Sequence, residues 1–193
     1  MDGRVLRGEL NRQAIVDAAL ALVSEEGTLP TAQSIAARAG LAKRSLFHHF
    51  PDMDSLLAFV AETQAERHWH VLRPPEPGLD LQERITTAVA QRARLFEAIG
   101  DVRRVAARYE TGSEVLADRM KESRAGLRRH IRRMLNPEYS TLGRAGQEGV
   151  QAVTSWEMWE VLRHHQGLSI EAAGASVQTM IGSVFERVAA KEG

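Results

Sequence analysis

Lys43, Arg44, Ser45 and His48 place two cations, a hydroxyl and an imidazole within six residues, inside the stretch TAQSIAARAGLAKRSLFHHF that runs from Thr31 to Phe50. Arginine and lysine meet phosphates, and arginine can also bond a guanine edge through two parallel N–H donors. On a helix these four side chains fall on one side, while Leu46 and Phe50, four residues apart, fall on another with Phe47 between. A polar face of this kind fits a DNA major groove. Thr31 and His48 are candidates for phosphate contact, Arg44 and Gln33 for base edges, and Lys43 and Ser45 for either.

Two elements must hold that face. Thr31 follows Pro30 and can cap a helix with Ile35, Ala36 and Ala39 on its apolar side, and Gly40 gives the backbone freedom a chain reversal requires. Ala36 is small where two helices cross closely. A plain helical hairpin with a solvated basic end has the same local pattern, so the flanks decide. Upstream, Ile15, Ala18, Ala19, Leu22 and Val23 form a helical stripe ending at Gly27; downstream, Pro51 and Asp52 open a helix carrying Leu56, Leu57 and Val60. The order is helix, helix-turn-helix, long helix.

Three runs in register, I-x-x-A-A-x-x-L-x-x-E-x-G from Ile15 to Gly27, I-A-x-x-A-G from Ile35 to Gly40 and L-F-H-H-F-P from Leu46 to Pro51, resemble the tetracycline-repressor (TetR) family of bacterial transcriptional regulators. The resemblance covers roughly Asn11 to Val60. It implies an all-α fold: a three-helix DNA-binding domain (1–52) and a larger helical domain (53–193) for effector binding and dimerisation. It also implies a homodimer on double-stranded operator DNA and a small-molecule effector. Members often carry Ser, Gly, Tyr and Lys where this chain has Ala42, Arg44, Phe47 and Met53. Phe47 has no hydroxyl and Met53 no charge, so two phosphate contacts of the pattern are missing, and Arg44 can replace one.

The chain has 193 residues, enough for one small and one larger domain, and its 25 Lys and Arg balance 25 Asp and Glu. Any DNA contact is therefore local rather than a product of bulk charge. With no cysteine there is no disulfide, thiol nucleophile or thiolate metal site. No apolar run reaches the roughly 20 residues of a membrane span, and MDGRVLRGEL lacks an apolar signal core. These features predict a soluble cytoplasmic protein.

Beyond the motif the sequence predicts a helix over 52–71, a linker at RPPEPG (73–78), and a helix from about Asp80, with Leu81, Ile85, Ala88, Val89 and Leu95 inward, stopped by Gly100. A short helix over 101–109 and a longer one over 113–135 follow, the latter with Leu116, Met120, Leu127, Ile131 and Met134 as its core stripe. Arg124, Arg128 and Arg132 form a basic row that reads as a solvated face, since acids interleave earlier and cations suit a helix C-terminus. Helices over 144–165 and 169–188 close the chain. Gly174, Ala175 and Gly182, with Val177, Ile181, Val184 and Val188 beside them, allow close helix approach and a four-helix dimer contact.

The sparse aromatics Phe96, Tyr109, Trp156 and Trp159 are the candidate lining of an effector pocket, against ordinary core packing. His68 and His70, two apart on a helix, diverge and make no ready chelate. No metal or cofactor is expected. No G-x-S-x-G, phosphate loop or H-E-x-x-H occurs, so the sequence does not read as an enzyme. It predicts a ligand-responsive DNA-binding regulator, most naturally a repressor. A helical interaction module with weakened DNA binding is the alternative.

Overall fold

A computed structural model describes residues 3–192, with side chains described for 5–187. Ten α-helices are present among these residues and no strand: α1 Gly3–Glu26, α2 Ala32–Arg38, α3 Lys43–His49, α4 Met53–Trp69, α5 Leu81–Tyr109, α6 Glu114–Leu135, α7 Glu138–Thr141, α8 Arg144–Val153, α9 Trp156–Glu160 and α10 Ile170–Glu192. A 3-10 turn joins α5 to α6, and a π turn over Val161–His165 extends α9. The chain forms two compact units, Met1–His68 with Ile99–Glu122, and Trp69–Ala98 with Ser123–Gly193.

In the first unit the stripe Ile15, Ala18, Ala19, Leu22 and Val23 of α1 is buried against Ile35 and Ala36 of α2, Leu46 of α3, and Leu56, Leu57 and Val60 of α4. Burying a Leu, Ile or Phe contributes about 1.5–3 kcal/mol, so this cluster dominates the unit's stability. Val102, Val105 and Ala106 of α5 and Leu116 and Met120 of α6 complete it. The C-terminus of α1 turns at Gly27 (φ +65°), and the Gly27 carbonyl accepts from Arg108 Nη1 at 3.0 Å.

Gly100 does not stop α5. The helix runs through it to Tyr109, joining the predicted 101–109 helix to the one before. The apolar stripe explains this: Ile99, Val102, Val105 and Ala106 stay buried in phase with Leu95 and Phe96, and that burial outweighs the roughly 1 kcal/mol a mid-helix glycine costs. The start of α5 is fixed by reciprocal capping, with Asp80 N–H donating to Glu83 at 2.9 Å and Glu83 N–H to Asp80 at 2.8 Å.

The predicted single helix over 144–165 is instead broken at Thr154–Ser155. Thr154 Oγ1 donates back to the Val150 carbonyl at 2.7 Å, and Ser155 caps α9 by accepting from Met158 N–H at 3.1 Å. The long helix after the motif is Met53–Trp69, inside the predicted 52–71, because Asp52 acts as its cap, accepting from Ser55 N–H at 2.7 Å. RPPEPG is non-helical and Gly78 has φ +86°. Val177 and Ile181 of α10 are buried and Ala175 is exposed, while the Val188 side chain lies outside the described residues.

The second unit buries three groups that carry or can carry charge. Arg84 donates to the Asn136 carbonyl at 2.5 Å and to Glu138 at 2.6 Å, closing the end of α6. Arg92 donates to the carbonyls of Leu127 and Thr154. His130 pairs with the Gln91 side-chain oxygen at 3.0 Å, and burial, reinforced by the charges of Arg92 and Arg133, pushes its pKa down to about 3.

Two outcomes follow from this packing. Gly100→Ala raises unfolding free energy by about 0.5–1 kcal/mol, because its new Cβ meets only the mobile end of Arg104 at 3.3 Å; an unchanged or lower urea midpoint contradicts the continuous helix. Unfolded His130 takes up a proton near its ordinary pKa of 6.5 and folded His130 only near 3, so acid favours the unfolded chain between those values. Stability therefore falls as pH drops below 6.5, by up to about 1.4 kcal/mol per pH unit. Between pH 6.5 and 4.5, above the carboxylate range, His130→Gln flattens that slope in urea melts; an identical slope assigns the proton elsewhere.

Candidate nucleic-acid interface and ligand cavity

The turn between α2 and α3 fixes the basic face. Thr31 caps α2, its Oγ1 accepting from Ser34 N–H at 3.1 Å. At the other end Gly40 has φ +67°, and Leu41 N–H donates to the Ala36 carbonyl at 2.9 Å across the reversal. This is a Schellman closure, in which the left-handed residue is glycine because a Cβ is disfavoured there. Arg38 of α2 pairs with Glu25 of α1 through both carboxylate oxygens, at 2.5 and 2.9 Å, and that pairing lowers the Glu25 pKa.

From α3, Leu46 is fully buried and Phe50, its C-cap, is 2% exposed, so the opposite side must face solvent. Lys43, Arg44, Phe47 and His48 are exposed and Ser45 is half-buried. Lys43 Nζ stands 5.9 Å over the Phe47 ring, and the His48 ring meets His49 edge-on at 5.5 Å. His49 turns partly inward, and burial, with the nearby charges of His48 and Arg12, lowers its pKa. Gln33 and Thr31 are exposed on and before α2. Thr31, however, already spends its hydroxyl on the cap and on Ser34 Oγ at 3.1 Å, leaving little for a phosphate. Ala42 caps α3 without any side-chain hydrogen bond, the direct cost of having no hydroxyl there.

The second unit holds a small cavity between α5, the α8–α9 break and α10. Val89, Arg92 and Phe96 line it from α5, Val153, Thr154 and Ser155 from the break, Trp159 from α9 and Val177 from α10. Its free volume is about 10 Å³, the room of one water molecule. Phe96 and Trp159 meet there, ring centroids 6.4 Å apart. The Trp159 indole N–H donates to Glu97 at 2.8 Å, and Arg163 holds the same carboxylate at 2.9 Å, which lowers the Glu97 pKa.

Of the four aromatics proposed as pocket lining, only Phe96 and Trp159 come together. Trp156 is buried but does not line the cavity, and Tyr109 is an exposed residue at the end of α5 in the other compact unit. Arg92 is the charged residue of the lining and stands outside the aromatic set. A signal for it existed: it sits three residues after Val89 and four before Phe96, an arginine at a core position of the stripe. Among the described residues no group of His, Asp and Glu is arranged to hold a metal, and no helix is long and apolar enough to cross a membrane.

Residues 15–60, the helix-turn-helix with its flanks, match the sequence profile of bacterial regulatory proteins of the tetR family. No curated protein matches the chain. Among solved structures, a transcriptional regulator from Rhodococcus sp. Rha1 shares the fold with a TM-score of 0.71 at 19% identity, over 91% of this chain and 96% of that one. A protein from Mesorhizobium loti MAFF303099, described as a TetR-family transcriptional regulator, does so with a TM-score of 0.62 at 17% identity, over 95% of this chain and 97% of that one. Three motifs in register and the profile match over the same residues make 15–60 similar to the tetR family of bacterial regulatory proteins, and the all-helical fold is shared with these two solved structures along nearly the whole chain.

Proposed function

We propose that this regulator binds operator DNA through α3 as a homodimer, and that a small molecule in the second unit releases it, making it a ligand-responsive repressor acting in the cytoplasm. The observation that carries the DNA reading is the polarity of α3: Leu46 and Phe50 are sealed in the core, so Lys43, Arg44 and His48 are presented outward by a turn that Gly40 holds rigidly. Arg44 and Gln33 are assigned to base edges, His48 and the remaining capacity of Thr31 to phosphates, and Lys43 and Ser45 to either. Residues 1–52 carry these contacts, and 53–193 carry effector binding and dimerisation. No catalytic role is assigned to the chain.

Two recognition helices reach successive major grooves only when about 34–36 Å apart, which requires a dimer. Its proposed contact is the α8–α10 pair, already close because Gly146 and Gly149 admit Val184 within 3.5 and 4.0 Å of where their Cβ atoms would stand. The proposed effector site is the cavity at Phe96 and Trp159. α4 and α5 are its routes to the motif, with a coupling free energy of about 1–3 kcal/mol. By linkage, operator DNA weakens effector binding by the same factor that the effector weakens operator binding.

The test is selection of duplexes from a random pool followed by mobility shifts. A dimer selects a palindrome. Arg44→Ala then weakens binding to the selected site by about 1–3 kcal/mol and relaxes preference at one position per half-site. Equal loss on every sequence reassigns Arg44 to phosphate. Selection of no sequence, or an intact shift from the Lys43→Ala, Arg44→Ala double variant, overturns the assignment of α3 and favours an interaction module whose uncapped α3 no longer reads DNA.

A further inference from the structure

We propose that the effector is a small monocarboxylic acid with an apolar body, its carboxylate received by the Arg92 guanidinium inside the second unit. This rests on the reading of that cavity as the effector site and adds the chemistry of what enters it.

Arg92 is 3% exposed, yet its hydrogen-bond partners are neutral: the Leu127 carbonyl on Nη2 and the Thr154 carbonyl on Nη1. Its buried Nε–H has no acceptor. Burial alone lowers its pKa to about 9, with no opposing acid contributing. The same unit shows what a compensated buried arginine looks like, since Arg84 meets Glu138 at 2.6 Å. The nearest acid along α5, Glu97, is already held by Arg163 and Trp159. His130, which feels the Arg92 charge, is kept neutral. One uncompensated positive charge therefore faces the cavity.

The geometry of that charge selects its ligand. A guanidinium presents five N–H donors in a plane, and the side carrying Nε–H and the adjacent Nη–H forms a fork matched to the two oxygens of a carboxylate. The remaining walls, chiefly Val89, Phe96, Val153, Trp159 and Val177, are apolar. A dianionic phosphate would leave a second charge unpaired among them, whereas a monoanion is neutralised and its hydrocarbon part covered. Room for one water means that the acid enters by parting the walls. The Nη beside Nε–H is Nη2, which holds the Leu127 carbonyl, so a carboxylate in that fork competes with Leu127 for it. Binding thereby loosens the hold of Arg92 on α6.

Matched pairs test this on the full chain: phenylacetate with phenylacetamide, 3-phenylpropanoate with its amide, and octanoate with octanamide, followed by tryptophan fluorescence and thermal melting. At least one acid is expected to saturate the signal, raise Tm, and bind at least about tenfold tighter than its amide. Arg92→Met removes that preference, and because wild-type pairs already decide the matter, a poorly folding variant does not blunt the test. Equal or tighter binding of the amides overturns the proposal while leaving an effector site in place. So does an acid that binds Arg92→Met as it binds wild type, since it must sit elsewhere. No saturable binding by any of the six up to about 10 mM also overturns it, with operator binding read separately by mobility shift. An acid that binds as expected but leaves the operator complex unchanged supports the site and refutes the effector reading beneath it.

Discussion

One helix has to be a core element twice. α5 spans 29 residues, about 43 Å at 1.5 Å per residue, and its apolar stripe enters two different clusters. Ile85, Ala88, Val89, Leu95 and Phe96 are buried in the unit with the cavity, while Val102, Val105 and Ala106 join the cluster that seats α1 to α4. Neither cluster can be built without it. Arg108 near its end takes the Gly27 carbonyl just beyond α1, and Arg84 near its start takes those of Met134 and Asn136 at the end of α6. The helix therefore closes the termini of other helices as well as supplying their apolar neighbours.

That double duty decides which features were legible in the sequence. Everything in the helix-turn-helix is encoded locally: the Thr31 cap reaches three residues, the Gly40 reversal bonds residues five apart, and Leu46 and Phe50 are one helical turn from each other. Such signals survive without knowledge of the rest of the fold. Gly100 was misleading for the opposite reason. A glycine after an apolar stretch is a stop signal only if nothing beyond it is buried in phase, and here Val102, Val105 and Ala106 are buried by helices far away in sequence. The break at Thr154–Ser155 is non-local too, because the carbonyl it frees is taken by Arg92, 62 residues earlier.

The candidate cavity was half legible. Aromatic type picks out Phe96 and Trp159, whose rings do meet, but it cannot tell them from Trp156, buried elsewhere, or from Tyr109, left in solvent. The more informative rule is the reverse one. A charged residue at a core position of an amphipathic stripe has to be explained, since burying a cation costs far more than burying an aromatic gains. Arg84 and Arg92 both occupy such positions eight residues apart on α5. One is explained by Glu138, and the other only by carbonyls and an unused Nε–H.

Arg92 also determines what kind of event can be felt outside the cavity. A contact between two apolar side chains changes gradually as walls move, but a guanidinium that holds two backbone carbonyls has discrete alternatives: it keeps them or gives one up. Its partners lie on α6 and at the α8–α9 break, and α6, like α5, contributes to both compact units, with Leu116 and Met120 in the cluster beneath the helix-turn-helix. The burial of one arginine thus ties α5 to α6 and to the α8–α9 break, elements far from it in sequence.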